Sequence, residues 1–145
     1  METALAISDY CLITKNKIYK GSQLVFEHPG FSESFLDKVY HHFEIAYPKF
    51  HKMDNLCKLG FLAVEILLKD KSHDKKYNDI ETGLVLMNAN ASLDVDLKYV
   101  KTIQSGASPS LFVYTLPNIV IGEISIRHHF KGENAFFVFK DFDGN

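Results

Sequence analysis

The chain has 145 residues, of which 46% are hydrophobic and 23% charged, with a formal net charge of −2. That length carries one packed core, and the apolar fraction excludes a disordered chain. The near-neutral charge excludes the broad basic field expected of a nucleic-acid-binding domain, so no nucleic-acid partner is expected.

The opening stretch METALAISDYCLIT has neither a basic leader nor a long apolar run. It predicts no secretory signal and no membrane span, hence a cytoplasmic protein whose Cys11 and Cys57 stay reduced. Neither cysteine has the CxxC spacing of a redox or zinc site. Ala4 to Thr14 reads as a buried strand, and Lys15 to Gly30 as short strands around a turn at Lys20-Gly21. From Ser32 to Tyr47, the residues Phe35, Leu36, Val39, Tyr40 and Phe43 recur at helical spacing until Pro48 interrupts them.

In KMDNLCKLGFLAVEILLK, Asp54 is placed to accept the unpaired N–H groups of a first helical turn. The helix that follows is apolar on nearly every side, which predicts burial and makes Cys57 a structural thiol. Lys69 to Lys76 reads as a solvated connection. TGLVLMNAN is a short strand of the parallel type with a small, polar exit from Asn88 to Ser92. Leu93 to Ile103 is a helix and QSGASPS a loop. Leu116 to Lys131 reads as a helix with Thr115 as its N-cap, Pro117 in its first turn and Gly132 as its left-handed terminator. Gly122 costs that helix about 1 kcal/mol against alanine, which predicts a close backbone neighbour there. NAFFVF, Asn134 to Phe139, is a strand buried on both faces. Strands alternating with helices predict an α/β fold with a partly parallel sheet, organised as one domain over 1–145.

Adjacent histidines on a helix point about 100° apart, so His41-His42 and His128-His129 are read as surface or packed residues and no metal is expected. Asp94 and Asp96 read as the polar start of a helix. No cofactor is expected either.

From Ser108 to Gly132 the chain resembles the N-terminal half of the β-ketoacyl-acyl-carrier-protein synthases, the 3-oxoacyl-ACP synthases of the thiolase fold. Ser108-Pro109, Phe112, Thr115, Asn118, Gly122, Ile124, Ile126 and Lys131-Gly132 carry the likeness. KMDNLCKLGFLAVEILLK is similar to that family's first core helix, and GLVLMNANASLDVD to its second strand and following loop. The resemblance implies a thiolase-like half-domain with a mixed, mostly parallel sheet packed with helices, truncated at its C-terminus. In the family, the strand after the Gly122 helix delivers a nucleophilic cysteine into a turn at a helix N-terminus, which favours the thiolate. Here that position falls on Asp141, flanked by Lys140, Phe142 and Asp143, with only Gly144 keeping the pattern.

A carboxylate attacks a thioester poorly and would form a high-energy mixed anhydride, so no catalytic residue is assigned. The resemblance implies that the Phe137 and Phe139 strand meets its copy across a two-fold axis, and that Leu111, Thr115 and Leu116 lie near the partner's acyl pocket. The expected function is a ketosynthase-like, non-catalytic subunit that binds acyl groups or acyl carrier protein in fatty-acid, polyene or polyketide-type biosynthesis. It would act as a homodimer or as a heterodimer with a cysteine-containing ketosynthase. Two alternatives stand beside it: an active 3-oxoacyl-ACP synthase with its catalytic residues outside this chain, and an unrelated α/β ligand-binding domain with a pocket near Asn88 to Ser92.

Overall fold

The computed structural model describes residues 6–30, 34–69 and 77–141. Expectations that fall on residues 4–5, 32, 70–76 and 142–144 lie outside them. The chain divides into two compact units, Met1–Pro48 with Leu62–Lys71, and Lys49–Phe61 with Ser72–Asn145.

In the first unit, β1 (Cys11–Ile13), β2 (Lys17–Lys20) and β3 (Gln23–Glu27) form an antiparallel meander in the order β1-β2-β3. The connections are too short for a parallel crossover, which takes a dozen residues or more. Gly21 holds φ at +56° in the β2–β3 turn, and its N–H donates to the Tyr10 carbonyl at 2.8 Å. The turn expected at Lys20-Gly21 is therefore present. Of the buried strand expected over 4–14, the described residues form only β1, and Tyr10 and Leu12 are each 50% exposed. Helix α1 (Phe35–His42) buries Phe35, Val39 and Tyr40, an i, i+4, i+5 face. The Phe26 ring of β3 lies 5.7 Å from Phe35 and 4.8 Å from the His42 imidazole. The helix stops before the expected Tyr47 because Glu44 adopts φ +54°, and the Tyr40 hydroxyl then accepts from the Tyr47 N–H at 2.9 Å.

Helix α2 (Asn55–Leu68) gives residues to both units. Asp54 accepts from the Leu56 and Cys57 N–H groups at 3.0 and 3.2 Å, the cap read from the sequence. Its buried side chains include Cys57, Phe61, Leu62 and Ile66, whereas Leu59 is largely exposed.

In the second unit, β4 (Leu84–Asn88) and β5 (Asn134–Val138) pair in parallel, with Leu84 opposite Asn134 and Asn88 opposite Val138. Three helices lie between them in the chain: α3 (Leu93–Gly106), α4 (Pro109–Tyr114) and α5 (Ile119–His128). The core contains Phe50, Met53, Cys57, Phe61, Val95, Val120, Ile121 and Ile124. The fold is thus α/β, as expected. Among the described residues, however, parallel pairing is confined to β4 and β5.

The close approach expected at Gly122 occurs instead at Gly60 of α2. A Cβ at Gly60 would lie 2.6 Å from Val120 Cγ2 of α5, while nothing lies within 4 Å of one at Gly122. Nor is Gly132 the left-handed residue after α5; His129 takes that role with φ +58°. Gly132 is small for another reason. A Cβ there would meet the Thr82 carbonyl oxygen at 2.5 Å, where the backbones leading into β4 and β5 converge.

Candidate functional site

The sequence-derived candidates fall on two stretches of the second unit. Leu111, Thr115 and Leu116 lie on α4 and the turn after it; Phe137, Phe139 and Asp141 lie on β5 and just beyond. Side chains alternate across a strand, so the β4–β5 register puts Val85, Met87, Ala135 and Phe137 on one face. Phe139 continues that face: its N–H donates to the Asn88 carbonyl at 3.1 Å, and its ring stacks on Phe137 at 5.8 Å. Val85, Met87, Phe137 and Phe139 are 45 to 59% exposed. The expectation of a β5 buried on both faces fails because a two-stranded ribbon leaves this face uncovered among the described residues.

Asp141 is exposed, three residues past the end of β5. On the β4 side, Asn88 fixes the exit from the strand: its side chain accepts from the Ala91 N–H at 2.8 Å and donates to the Ala91 carbonyl at 2.9 Å. Ala91 consequently holds φ +47°. Buried Ser92 donates its hydroxyl to the Thr115 carbonyl at 2.6 Å, tying the exit of β4 to the end of α4.

The loop expected at 104–110 is partly helical. Gln104 to Gly106 complete α3, and Ser108 caps α4, accepting from the Leu111 N–H at 3.4 Å ahead of Pro109. The Thr115 hydroxyl donates back to the Phe112 carbonyl at 2.7 Å and so closes α4. It does not cap the next helix; Asn118 occupies that N-cap position, and α5 begins at Ile119. Leu111 is half-buried and Leu116 is exposed.

Burial pushes the Cys57 thiol up to about 12, with nearby Asp54 and Glu123 adding to the shift. Cys11 is also raised, first by burial and then by Asp9, with Lys20 opposing. Neither environment favours a thiolate, and thiolate is the nucleophilic form. Burial raises Asp54 as well, against the two backbone hydrogen bonds that favour its charged form.

Among the described residues, no group of three or more His, Cys, Asp or Glu side chains could hold a metal ion. Of the histidine pairs, His42 packs on Phe26, and the His128 ring stacks on Phe130 at 5.4 Å. Asp94 pairs with Lys98 at 2.7 Å, and the Asp96 carboxylate lies 3.2 Å from the Ser92 hydroxyl oxygen, so both belong to the start of α3. Among the described residues, no helix is long and apolar enough to cross a membrane. The chemistry on offer is apolar contact. One further apolar surface, the outer side of α3 with Leu93, Leu97 and Val100, escaped the sequence reading although its i, i+4, i+7 spacing is written in the chain.

Comparison of the chain with protein-family models, with curated proteins and with solved structures finds no match.

Proposed function

We propose that this chain is a ketosynthase-like subunit without condensing activity, which offers apolar surface to a partner subunit or to acyl groups borne by acyl carrier protein. The observation that carries this reading is the exposed face of Val85, Met87, Phe137 and Phe139, followed in the chain by Asp141, the position at which the resemblance puts a thiol. Contiguous apolar surface rimmed by polar residues marks interaction sites, and an apolar strand edge left open invites pairing. The Asp141 carboxylate cannot accept an acyl group from a thioester at useful rates. The buried Cys57, held protonated, offers no substitute.

On this reading, β4, the α3–α5 connection and β5 are the core of a thiolase-like half-domain. Phe137 and Phe139 cover a homodimer or heterodimer interface, and Leu111, Thr115 and Leu116 border an acyl pocket. The pathway class is fatty-acid, polyene or polyketide-type biosynthesis.

The test has two arms. Intact mass spectrometry after incubation with an octanoyl-acyl-carrier-protein thioester is expected to detect no mass gain. Co-expression with a cysteine-containing ketosynthase from the same host is expected to yield a complex that Phe137→Ser weakens. Covalent acylation would establish the active-synthase alternative, and the lack of any complex would remove the partner-subunit role.

A further inference from the structure

We infer that the outer face of α3 is a self-docking surface at which two copies of this chain pair antiparallel about a two-fold axis. The inference does not depend on the ketosynthase reading. Helix α3 has two unlike sides. On the inner side Val95 is fully buried, the Tyr99 ring lies 5.6 Å from Phe112 of α4, and the Thr102 hydroxyl accepts from the Ser108 N–H at 3.1 Å. On the outer side Leu93, Leu97, Val100 and Ile103 are 49 to 60% exposed. Single exposed apolar residues are ordinary, but a run of them on one side of a helix is a patch that needs a cover.

The spacing identifies the shape of that cover. Leu93, Leu97, Val100 and Gln104 follow one another at intervals of four, three and four, the seam by which one helix packs along another. The charges identify the partner. Asp94 and Asp96 precede Lys98 and Lys101 along α3. Asp94 and Lys101 are seven residues apart, so they stand on the same flank of the seam.

In a parallel pair of identical helices, Lys101 of each copy would face Asp96 of the other, but Asp94 would gain no opposite charge and the two helix dipoles would align. With the two-fold axis between Leu97 and Val100, Asp94 of each copy instead faces Lys101 of the other, twice per dimer. Leu97 then packs against the second copy's Val100, and the two helix dipoles oppose. A surface whose charge order is the reverse of this one is what the same helix supplies when turned end for end. Asp94 already holds Lys98 at 2.7 Å, so Lys101 of the second copy would join an existing pair instead of ordering a new one.

The test is sedimentation velocity of the full chain over a range of concentrations at low and high salt, with thermal unfolding as the control for folding. The wild type is expected to form a dimer that weakens with salt, and Leu97→Asp to be monomeric. Asp94→Lys and Lys101→Asp should each weaken the dimer by about tenfold, because each removes two cross-pairs and sets like charges together. The double exchange Asp94→Lys/Lys101→Asp should restore it, since the end-for-end complementarity is kept. These two positions are exposed, so the exchange remains informative even if Leu97→Asp does not fold. A wild type that stays monomeric, or that binds a different protein through α3 while monomeric alone, overturns the inference. So does a dimer indifferent to Leu97→Asp, or a double exchange that fails to recover. A dimer lost on Phe137→Ser but not on Leu97→Asp would place the copies at β5 and leave the proposed function standing.

Discussion

Cys57 is 1% exposed and follows the α2 cap, so its thiol loses water while two carboxylates, Asp54 and Glu123, stand close enough to oppose its ionisation. The thiol is raised from 9.0 to about 12 in the fold. An unfolded chain gives up this proton above pH 9, whereas the folded chain keeps it, so in that range the unfolded state binds fewer protons. The thiol's contribution to stability is therefore complete below pH 9 and is lost as pH rises from there toward 12. Denaturant midpoints should fall more steeply above pH 9 in the wild type than in Cys57→Ala, and a thiol reagent should label Cys57 only after unfolding. Equal slopes, or rapid labelling of the native protein at pH 8, would show a solvated thiol. The burial of Cys57 was legible from the apolar run around it. The acidic neighbour Glu123 was not, since it arrives from a helix 66 positions along the chain.

At the scale of elements, the contact of α2 with α5 turns on one missing methyl group. A Cβ at Gly60 would sit 2.6 Å from Val120 Cγ2, so either the helices part or a side chain moves. Gly60→Ala should destabilise by about 1–3 kcal/mol, in the range of overpacking. The double variant Gly60→Ala/Val120→Ala should cost clearly less than the two single changes added together, because removing Cγ2 makes the room. Gly122→Ala, in open space on the exposed side of α5, should stabilise by about 1 kcal/mol through helix propensity. Chemical denaturation of the four variants decides it, and additivity of the pair would mean that the contact is not made. Each helix displays one glycine in the sequence, and nothing in the local pattern says which of them faces a neighbour. The boundary between α4 and α5 was hidden for a related reason. Thr115 can cap forward or close backward, and here its hydroxyl bonds the Phe112 carbonyl. Ser108-Pro109, by contrast, is a start signal that could have been read.

For the molecule as a whole, the apolar fraction exceeds what these cores enclose, and part of the surplus lies on the β4–β5 face and on the outer side of α3. Phe137→Ser and Phe139→Ser remove half-exposed rings, so each should cost only about 1 kcal/mol of stability. The same changes should lower the fluorescence of a dye that binds apolar surface, such as anilinonaphthalene sulfonate, by a clear fraction of its wild-type value. Unchanged dye binding would mean that this face is already covered in solution.

What the chain determines by itself is local and periodic: the Asp54 cap, the turn at Gly21, the apolar run of α2, the strands at 84–88 and 134–138, and the α/β alternation. Each is announced by spacing, capping or turn preference within a few positions, although the two strands find their hydrogen-bond partners only in each other. Tertiary structure alone decided that the strands form two separate sheets, that Gly60 and not Gly122 is the point of close approach, and that Phe137 and Phe139 face outward. Those outcomes depend on which surfaces meet across long sequence separations, and periodicity reports that a face is apolar without reporting what, if anything, covers it.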